Sequence, residues 1–316
     1  TIMAFVPSTL RQFLDGAAQE PGLRLRVACC GGEVLADDLA QRFLRQTGAR
    51  LYNVYGPTEA CIFASAWQCS DSGAGHPLPI GAPIDDTRIY VLDSALRALP
   101  FGVTGEIFIG GAAIARGYLN RPDLEAGAFI DDPFRPGGRM YRTGDEGWFG
   151  CDGLLRFSGR NDRQVKVRGY RVELGEIEAA LAAAPGVEAA AAKLLERDGR
   201  AQIHGWVAAA GNASTAAILA HLRGCLPDYM LPAGLSVLAS LPVTAAGKTD
   251  YAALTVGAAG ASGSGRRPAT ILEQEILALW EQALQRRNLG VGDDFFALGG
   301  DSLAAIDILA GLERLL

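Results

Sequence analysis

GRNDRQVKVRGYRVELGEIE, residues 159–178, carries a strand, a turn and a helix in direct succession. Between Gln164 and Arg168 the apolar Val165 and Val167 alternate with Gln164, Lys166 and Arg168, the two-residue period of a half-buried strand. Gly169 breaks that pattern. From Leu174 the period lengthens, and Ile177, Ala180 and Leu181 fall on one face of a helix. Glu173 and Glu176 stand in its opening turn, where acidic groups suit the positive end of a helix. This switch of period opens a small α+β unit.

Upstream, from Phe5 to Ala66, helix and strand patterns alternate: a helix near Thr9–Ala18, an apolar strand Leu25–Cys30, a helix Ala36–Gln46 and a strand Arg50–Val54. That alternation predicts an α/β layer with parallel strands. Between Ile80 and Leu155, short strands such as IYVLD and GEIFIGG are punctuated by glycine and proline, which predicts a small β-rich subdomain. Downstream, Ala-rich helices Glu176–Ala184 and Thr215–Gly224 complete the α+β unit. The string TVGAAGASGSGRRPA, residues 255–269, cannot bury apolar area and reads as a flexible tether with a reach of roughly 20 to 23 Å. Thr270 and Glu273 then have capping-box spacing, and Leu272, Ile276, Leu279, Trp280 and Ala283 recur along one helical face. The expected division is 1–160 for the α/β layer and β-rich subdomain, 161–254 for the α+β unit, 255–269 for a linker and 270–316 for an all-α segment.

Composition removes several function classes. The 316 residues suffice for about two domains, and an apolar share of 49% can build real cores. The 29 Lys plus Arg against 35 Asp plus Glu give a net charge of −6 with no basic block, which argues against nucleic acid as a partner. No window reaches the roughly 18 to 20 uncharged apolar residues of a membrane span, and TIMAFVPSTL lacks a basic leader, so a cytoplasmic protein is expected. The six cysteines form no CxxC pair and no zinc-like spacing with His76, His204 or His221, which predicts free thiols. The chain starts at Thr1 and stops at Leu316 within a helical pattern, as a piece of a longer protein would.

Further strings carry chemistry. NVYGPTEA, residues 53–60, ends a strand in a Gly-Pro turn that projects a hydroxyl and a carboxylate together. GEIFIGGAAIARGYLN, residues 105–120, reads as strand and turn, with Arg116 the one residue of chemical promise. YRTGDE, residues 141–146, offers Asp145 as an acceptor for paired hydroxyls. LPDYMLP, residues 226–232, and LPVTAAGKTDY, residues 241–251, place Lys248 after Gly247 in a loop that reads as mobile. DDFFALGGDSLAAI, residues 293–306, sets Ser302 at the start of a helix.

In this order, the strings resemble the adenylate-forming enzymes, specifically the amino-acid-activating domains of nonribosomal peptide synthetases, followed by the start of a peptidyl carrier domain. The implied fold is α/β: a partial adenylate-forming core, a small α+β lid and part of a helical carrier bundle. The resemblance implies that Tyr55 packs against adenine, that Thr58 contacts phosphate and that Glu59 holds Mg²⁺, an ion commonly shared between one or two carboxylates and substrate phosphates. Gly31, Gly32, Glu33, Asn53 and Gly56 join the nucleotide site, with Asp145 on the ribose and Arg160 framing the nucleoside. Lys248 bridges substrate carboxylate and nucleotide, a cation placed where negative charge builds. The lid turns about Asp162 and brings Arg168 and Gly169 toward a thiol, and Ser302 carries 4′-phosphopantetheine at a helix N-terminus that favours anions.

ATP, Mg²⁺ and phosphopantetheine are thus the implied cofactors, and the amino acid, a phosphopantetheinyl transferase and neighbouring synthetase domains the implied partners. The pocket positions Ala4, Cys29, Gly31, Val54, Ile62 and Phe63 favour an uncharged side chain, because an unpaired charge there would be costly to bury. An apolar amino acid and a hydroxy or keto acid stay undivided. Glu146, Ala246 and Tyr251 depart from the family's usual residues. Its phosphate loop has no equivalent here and the carrier is incomplete, so this polypeptide alone is expected to be inactive. An acyl- or aryl-CoA ligase relative and a non-catalytic carrier or interaction module are the alternatives.

Overall fold

The apolar runs around Ala28 and Leu51 pair as parallel strands on either side of an amphipathic helix. The computed structural model describes residues 1–16, 24–70, 77–167, 169–197, 200–209, 214–244, 247–256, 266–284, 289–293 and 302–315, with 287, 295 and 298. They divide into two units, Thr1–Arg171 and Val172–Leu316. The first opens with β1 (Ile2–Phe5), α1 (Pro7–Asp15), β2 (Val27–Gly31), α2 (Asp37–Thr47) and β3 (Arg50–Tyr55). In the parallel register Ala4 stands opposite Cys29, and Gly31 opposite Val54. Leu10, Leu14, Leu39 and Phe43 of the two helices close on Ala28, Cys30 and Leu51 to form one core. Strand residues alternate faces, so Ala4, Cys29, Gly31 and Val54 share the opposite side of the sheet.

From β4 (Ser65–Gln68) onward every pairing in this unit's main sheet is antiparallel. The elements are β5 (Pro79–Pro83), β6 (Thr87–Leu92), β7 (Gly105–Gly111), α3 (Pro122–Ala128), β8 (Phe129–Asp131), β9 (Arg139–Phe149) and β10 (Leu155–Arg160). The strand order is β1-β2-β3-β4-β5-β10-β9-β7-β6, with β8 alongside β9. The β-rich part follows the α/β layer as expected and continues its sheet, because β5 pairs with β4 on one edge and β10 on the other. A second core of Ile80, Ile89, Val91, Ile107, Ile109 and Leu155 lies under this part.

β11 (Gln164–Val167) and β12 (Tyr170–Glu173) form a two-stranded ribbon where the first unit ends. The expected alternation holds for Val167 but not for Gln164, which is buried as well. Both sides of this short strand are covered, so its polar positions are not a solvated face.

The second unit begins with α4 (Leu174–Ala182), whose Ile177 and Leu181 are fully buried as the helical period requires. β13 (Val187–Arg197) and β14 (Arg200–Ala209) are antiparallel, α5 (Thr215–Cys225) follows, and β15 (Gly234–Leu238) runs parallel to β14. Trp206 is buried with Ala191 and Leu254, and its indole N–H donates to the Thr255 carbonyl at 3.2 Å. Glu178 accepts from the Ala192 amide at 2.8 Å and from the Tyr251 hydroxyl at 3.0 Å, which ties Tyr251 into the fold. α6 (Ile271–Leu284) starts in the expected capping box: Thr270 Oγ1 accepts from the Glu273 amide at 3.1 Å, and Glu273 Oε2 from the Thr270 amide at 3.2 Å. It packs on α7 (Ser302–Leu315) through Ala283, Ala304 and Ile308, with Trp280 edge-on to Phe295 at 5.2 Å. No described helix is long and apolar enough to cross a membrane.

Candidate active site

Three strands converge on Asp145. The TGD turn lies inside β9, where Thr143 Oγ1 donates to the Ile107 carbonyl at 2.7 Å and accepts from the Asp145 amide at 3.0 Å. The Tyr55 hydroxyl, at the end of β3, donates to Asp145 Oδ2 at 2.6 Å, and Arg160 Nη1 donates to Oδ1. Arg160 is itself held by the Thr143 carbonyl at 3.0 Å and by both oxygens of Asp162 at 2.8 and 2.7 Å. Gly144 makes room for this pair: a Cβ there would lie 2.8 Å from Asp162 Oδ2 and 2.9 Å from Arg160 Nη2. Asp145 is only 3% exposed, yet each carboxylate oxygen keeps acceptor capacity for a hydroxyl. Burial, and then the neighbouring Asp145 charge, push the Tyr55 phenol well above its ordinary range, so it stays a donor. Burial works to raise the Asp162 pKa, but its bonds to Arg160 and the Gln164 amide outweigh it and hold the carboxyl below its usual range.

Beside this cradle the NVYGPTEA turn projects Glu59. Thr58–Ala60 form one turn of 3-10 helix, and the loop closes when the Ala64 amide donates to the Tyr55 carbonyl at 2.7 Å. Closure needs glycine at 56, where a Cβ would stand 2.6 Å from the Ile62 carbonyl oxygen. It also forces Cys61 (φ 53) and Ile62 (φ 75) into the left-handed region, a strained conformation for a β-branched residue. Ile62 and Phe63 point outward as a result.

Glu59 is 7% exposed; its Oε1 accepts from the Tyr118 hydroxyl at 2.5 Å, and Arg171 Nη1 lies 2.8 Å from both Oε1 and Oε2. Burial would raise its pKa, but the Tyr118 hydrogen bond and the Arg171 charge outweigh it and keep Glu59 ionised below the ordinary range. The guanidinium shows that this carboxylate presents both oxygens to a cation. Glu59 offers one carboxylate with both oxygens toward a cation, a donor fit for an ion such as Mg²⁺ that completes its sphere with phosphate oxygens and water.

Glu33 anchors a third feature. It accepts from the Ser8 amide at 3.1 Å, from the Ser8 hydroxyl at 3.4 Å and from the Gly169 amide at 2.7 Å. Asn53 turns its amide into the sheet, donating to the Pro79 carbonyl at 2.7 Å. Lys166 places its ammonium 5.9 Å from the centre of the Tyr55 ring. Burial lowers its pKa, while Asp145 pulls the other way.

Of the expected site residues, those up to Gly169, other than Arg168, belong to the first unit, and Lys248 and Ser302 to the second. Lys248 is exposed next to Gly247 (φ 76) in a turn closed by the Thr244 amide on the Lys248 carbonyl at 2.7 Å. Ser302 is the first residue of α7. Arg168, Ala246, residues 257–265 and the Ser302 side chain lie outside the described residues. Sequence reasoning missed Tyr118, Thr143, Lys166 and Arg171 as site residues. It favoured Arg116 over Tyr118 in the 105–120 string, but Arg116 is exposed, and its carbonyl accepts from Arg139 at 2.9 Å.

Known proteins share this architecture. Residues 1–119 match the AMP-binding enzyme family, and residues 274–316 match the phosphopantetheine attachment site family. Tyrocidine synthase 3 of Brevibacillus parabrevis is 39% identical over 99% of the chain. Phosphinothricin tripeptide synthetase of Streptomyces viridochromogenes is 43% identical over 96%. The chain spans only 5% and 26% of their lengths. A solved NRPS protein with adenylation and PCP domains, bound to a vinylsulfonamide inhibitor, superposes with a TM-score of 0.79 at 31% identity, covering 99% of this chain and 52% of that one. The chain is an AMP-binding adenylation region followed by a phosphopantetheine carrier region, of the nonribosomal peptide synthetase kind.

Proposed function

We propose that the protein containing this chain activates an amino acid with ATP as its acyl adenylate and then loads it on its own carrier region. The observation that carries this reading is the Tyr55–Asp145–Arg160 cradle beside the cation-accepting Glu59, in one chain with a phosphopantetheine attachment segment. Residues 1–160 form the core of the reaction, 161–254 a lid, 255–269 a linker and 270–316 the carrier.

Asp145 accepts the ribose hydroxyls, Tyr55 presents its ring to the base, and Arg160 pairs with Asp145 and orients it. Gly31, Gly32 and Gly56 let the backbone approach the nucleotide, Glu33 and Asn53 brace the loops that carry them, and Thr58 reaches phosphate. Glu59 holds Mg²⁺, which when bound neutralises phosphate charge. Lys248 adds positive charge where the substrate carboxylate meets the α-phosphate. Ala4, Cys29, Gly31 and Val54, on one sheet face, offer a small uncharged lining that suits an apolar side chain, while Ile62 and Phe63, the other two uncharged positions, are exposed on the strained turn. Asp162 is the hinge, Arg168 and Gly169 serve the transfer stage, and phosphopantetheine on Ser302 supplies the accepting thiol. A phosphopantetheinyl transferase and neighbouring synthetase domains are its partners, in the cytoplasm. The match of residues 274–316 to a carrier family favours this reading over a free CoA ligase.

Lys248→Ala in the full-length protein should lower amino-acid-dependent ATP–pyrophosphate exchange about 10²- to 10³-fold, the loss expected for one preorganised charge. Exchange near the wild-type rate would refute the assignment.

A further inference from the structure

The cation on Glu59 belongs to the chain itself. Oε1 accepts from both Tyr118 and Arg171, which uses its two lone pairs, and Oε2 gives one of its two to Arg171. Mg²⁺ demands near-octahedral geometry at about 2.0–2.1 Å from oxygen. An ion at that distance would sit against the Arg171 guanidinium, with like charges in a partly dehydrated site. The two cations therefore compete for one carboxylate.

Arg171 does not act alone. Two residues earlier, the Gly169 amide donates to Glu33 at 2.7 Å, and the turn rests on Val6, whose Cγ1 would be 2.6 Å from a Cβ at this position. One short segment is thus tied to one acid at Gly169 and to a second acid at Arg171. Arg171 also reaches the Tyr141 hydroxyl at 3.4 Å and keeps 37% of its side chain exposed, so it can leave without opening a core.

We propose that Arg171 and Mg²⁺ are mutually exclusive occupants of Glu59, so that filling the metal site releases the Gly169–Arg171 segment and docking of that segment expels the metal. This rests on the reading of Glu59 as the metal carboxylate. The coupling is reciprocal: whatever stabilises the docked segment weakens metal binding by the same factor.

The test uses the full-length protein with saturating α,β-methylene-ATP. Mn²⁺ stands in for Mg²⁺; its affinity is read by electron paramagnetic resonance, and hydrogen exchange is followed at Gly169–Arg171. Arg171→Ala should bind Mn²⁺ about tenfold tighter, within the usual range of coupling between sites. Arg171→Lys, which keeps the charge without the planar fork, should fall between it and wild type. Mn²⁺ should also speed exchange of the Gly169 amide in the wild type. Glu59→Gln separates this proposal from the reading beneath it. If it leaves Mn²⁺ affinity unchanged, Glu59 is not the metal carboxylate and both fail. If it weakens Mn²⁺ while both Arg171 variants bind as wild type does, the competition alone is overturned.

Discussion

The Tyr55 hydroxyl donates to Asp145 Oδ2 at 2.6 Å, joining the end of β3 to the middle of β9 across 90 residues of chain. Both groups are buried, and the acceptor is charged, so this bond is among the stronger kinds. Tyr55→Phe keeps the ring and removes only the donor. It should cost about 1.5–3 kcal/mol in urea unfolding of the 316-residue chain, the range for a hydrogen bond to a charged group. An unchanged midpoint would show that Arg160 alone satisfies Asp145.

Gly56 is required by close approach. An added Cβ would stand 2.6 Å from the Ile62 oxygen and 2.7 Å from the Ala64 nitrogen, both backbone atoms that cannot turn aside. Gly56→Ala should therefore destabilise by about 1–3 kcal/mol. Gly127 in α3 has nothing within 4 Å of its added Cβ, and Gly127→Ala should be neutral or stabilise by up to about 1 kcal/mol. Equal melting shifts for the two variants would contradict this account.

Much of this site was legible because its residues sit in turns with local signatures. Gly-Pro before Thr58 and Glu59, and Thr-Gly before Asp145, announce tight turns in their own few residues. Ile177 and Leu181 were legible for a similar reason, since a helical period is written within one segment. Tyr118 and Arg171 were not, because their shared partner Glu59 lies 59 and 112 residues away, and no local pattern encodes a pairing at that range. A signal did exist: an acid in an apolar turn needs donors if it is buried. The continuity of the sheet was hidden likewise, since nothing around β5 names β10 as its neighbour.

Lys166 gives the fold a pH dependence of known sign. Burial lowers its pKa, with Asp145, Glu33, Arg160 and Arg171 as its charged neighbours. The folded protein thus releases this proton before the unfolded chain does. Between the two pKa values the unfolded state binds more protons, so stability rises with pH up to the ordinary lysine range. Lys166→Met should flatten that rise on the acid side of the ordinary lysine range. Parallel stability profiles for variant and wild type would contradict the assignment.

The thiols should divide by exposure. Cys61, Cys151 and Cys225 are exposed, whereas Cys30 and Cys69 are buried. Burial pushes the Cys69 pKa up to about 12, and Cys30 is also raised, by burial first and then by Cys69, Glu33 and Cys29. Iodoacetamide near neutral pH should modify the first three and spare Cys30 and Cys69 until the protein unfolds. Rapid modification of Cys30 in folded protein would contradict the packing of α1 and α2 on β2.

The central claim is that activation and loading occur in one protein. Its most direct test is intact mass spectrometry of the phosphopantetheine-bearing full-length protein, incubated with ATP, Mg²⁺ and each proteinogenic amino acid in turn. The account predicts a mass gain on Ser302 equal to one apolar amino acid less water, absent without ATP and absent in Ser302→Ala. No gain with any amino acid, in folded protein shown to carry phosphopantetheine, would contradict it.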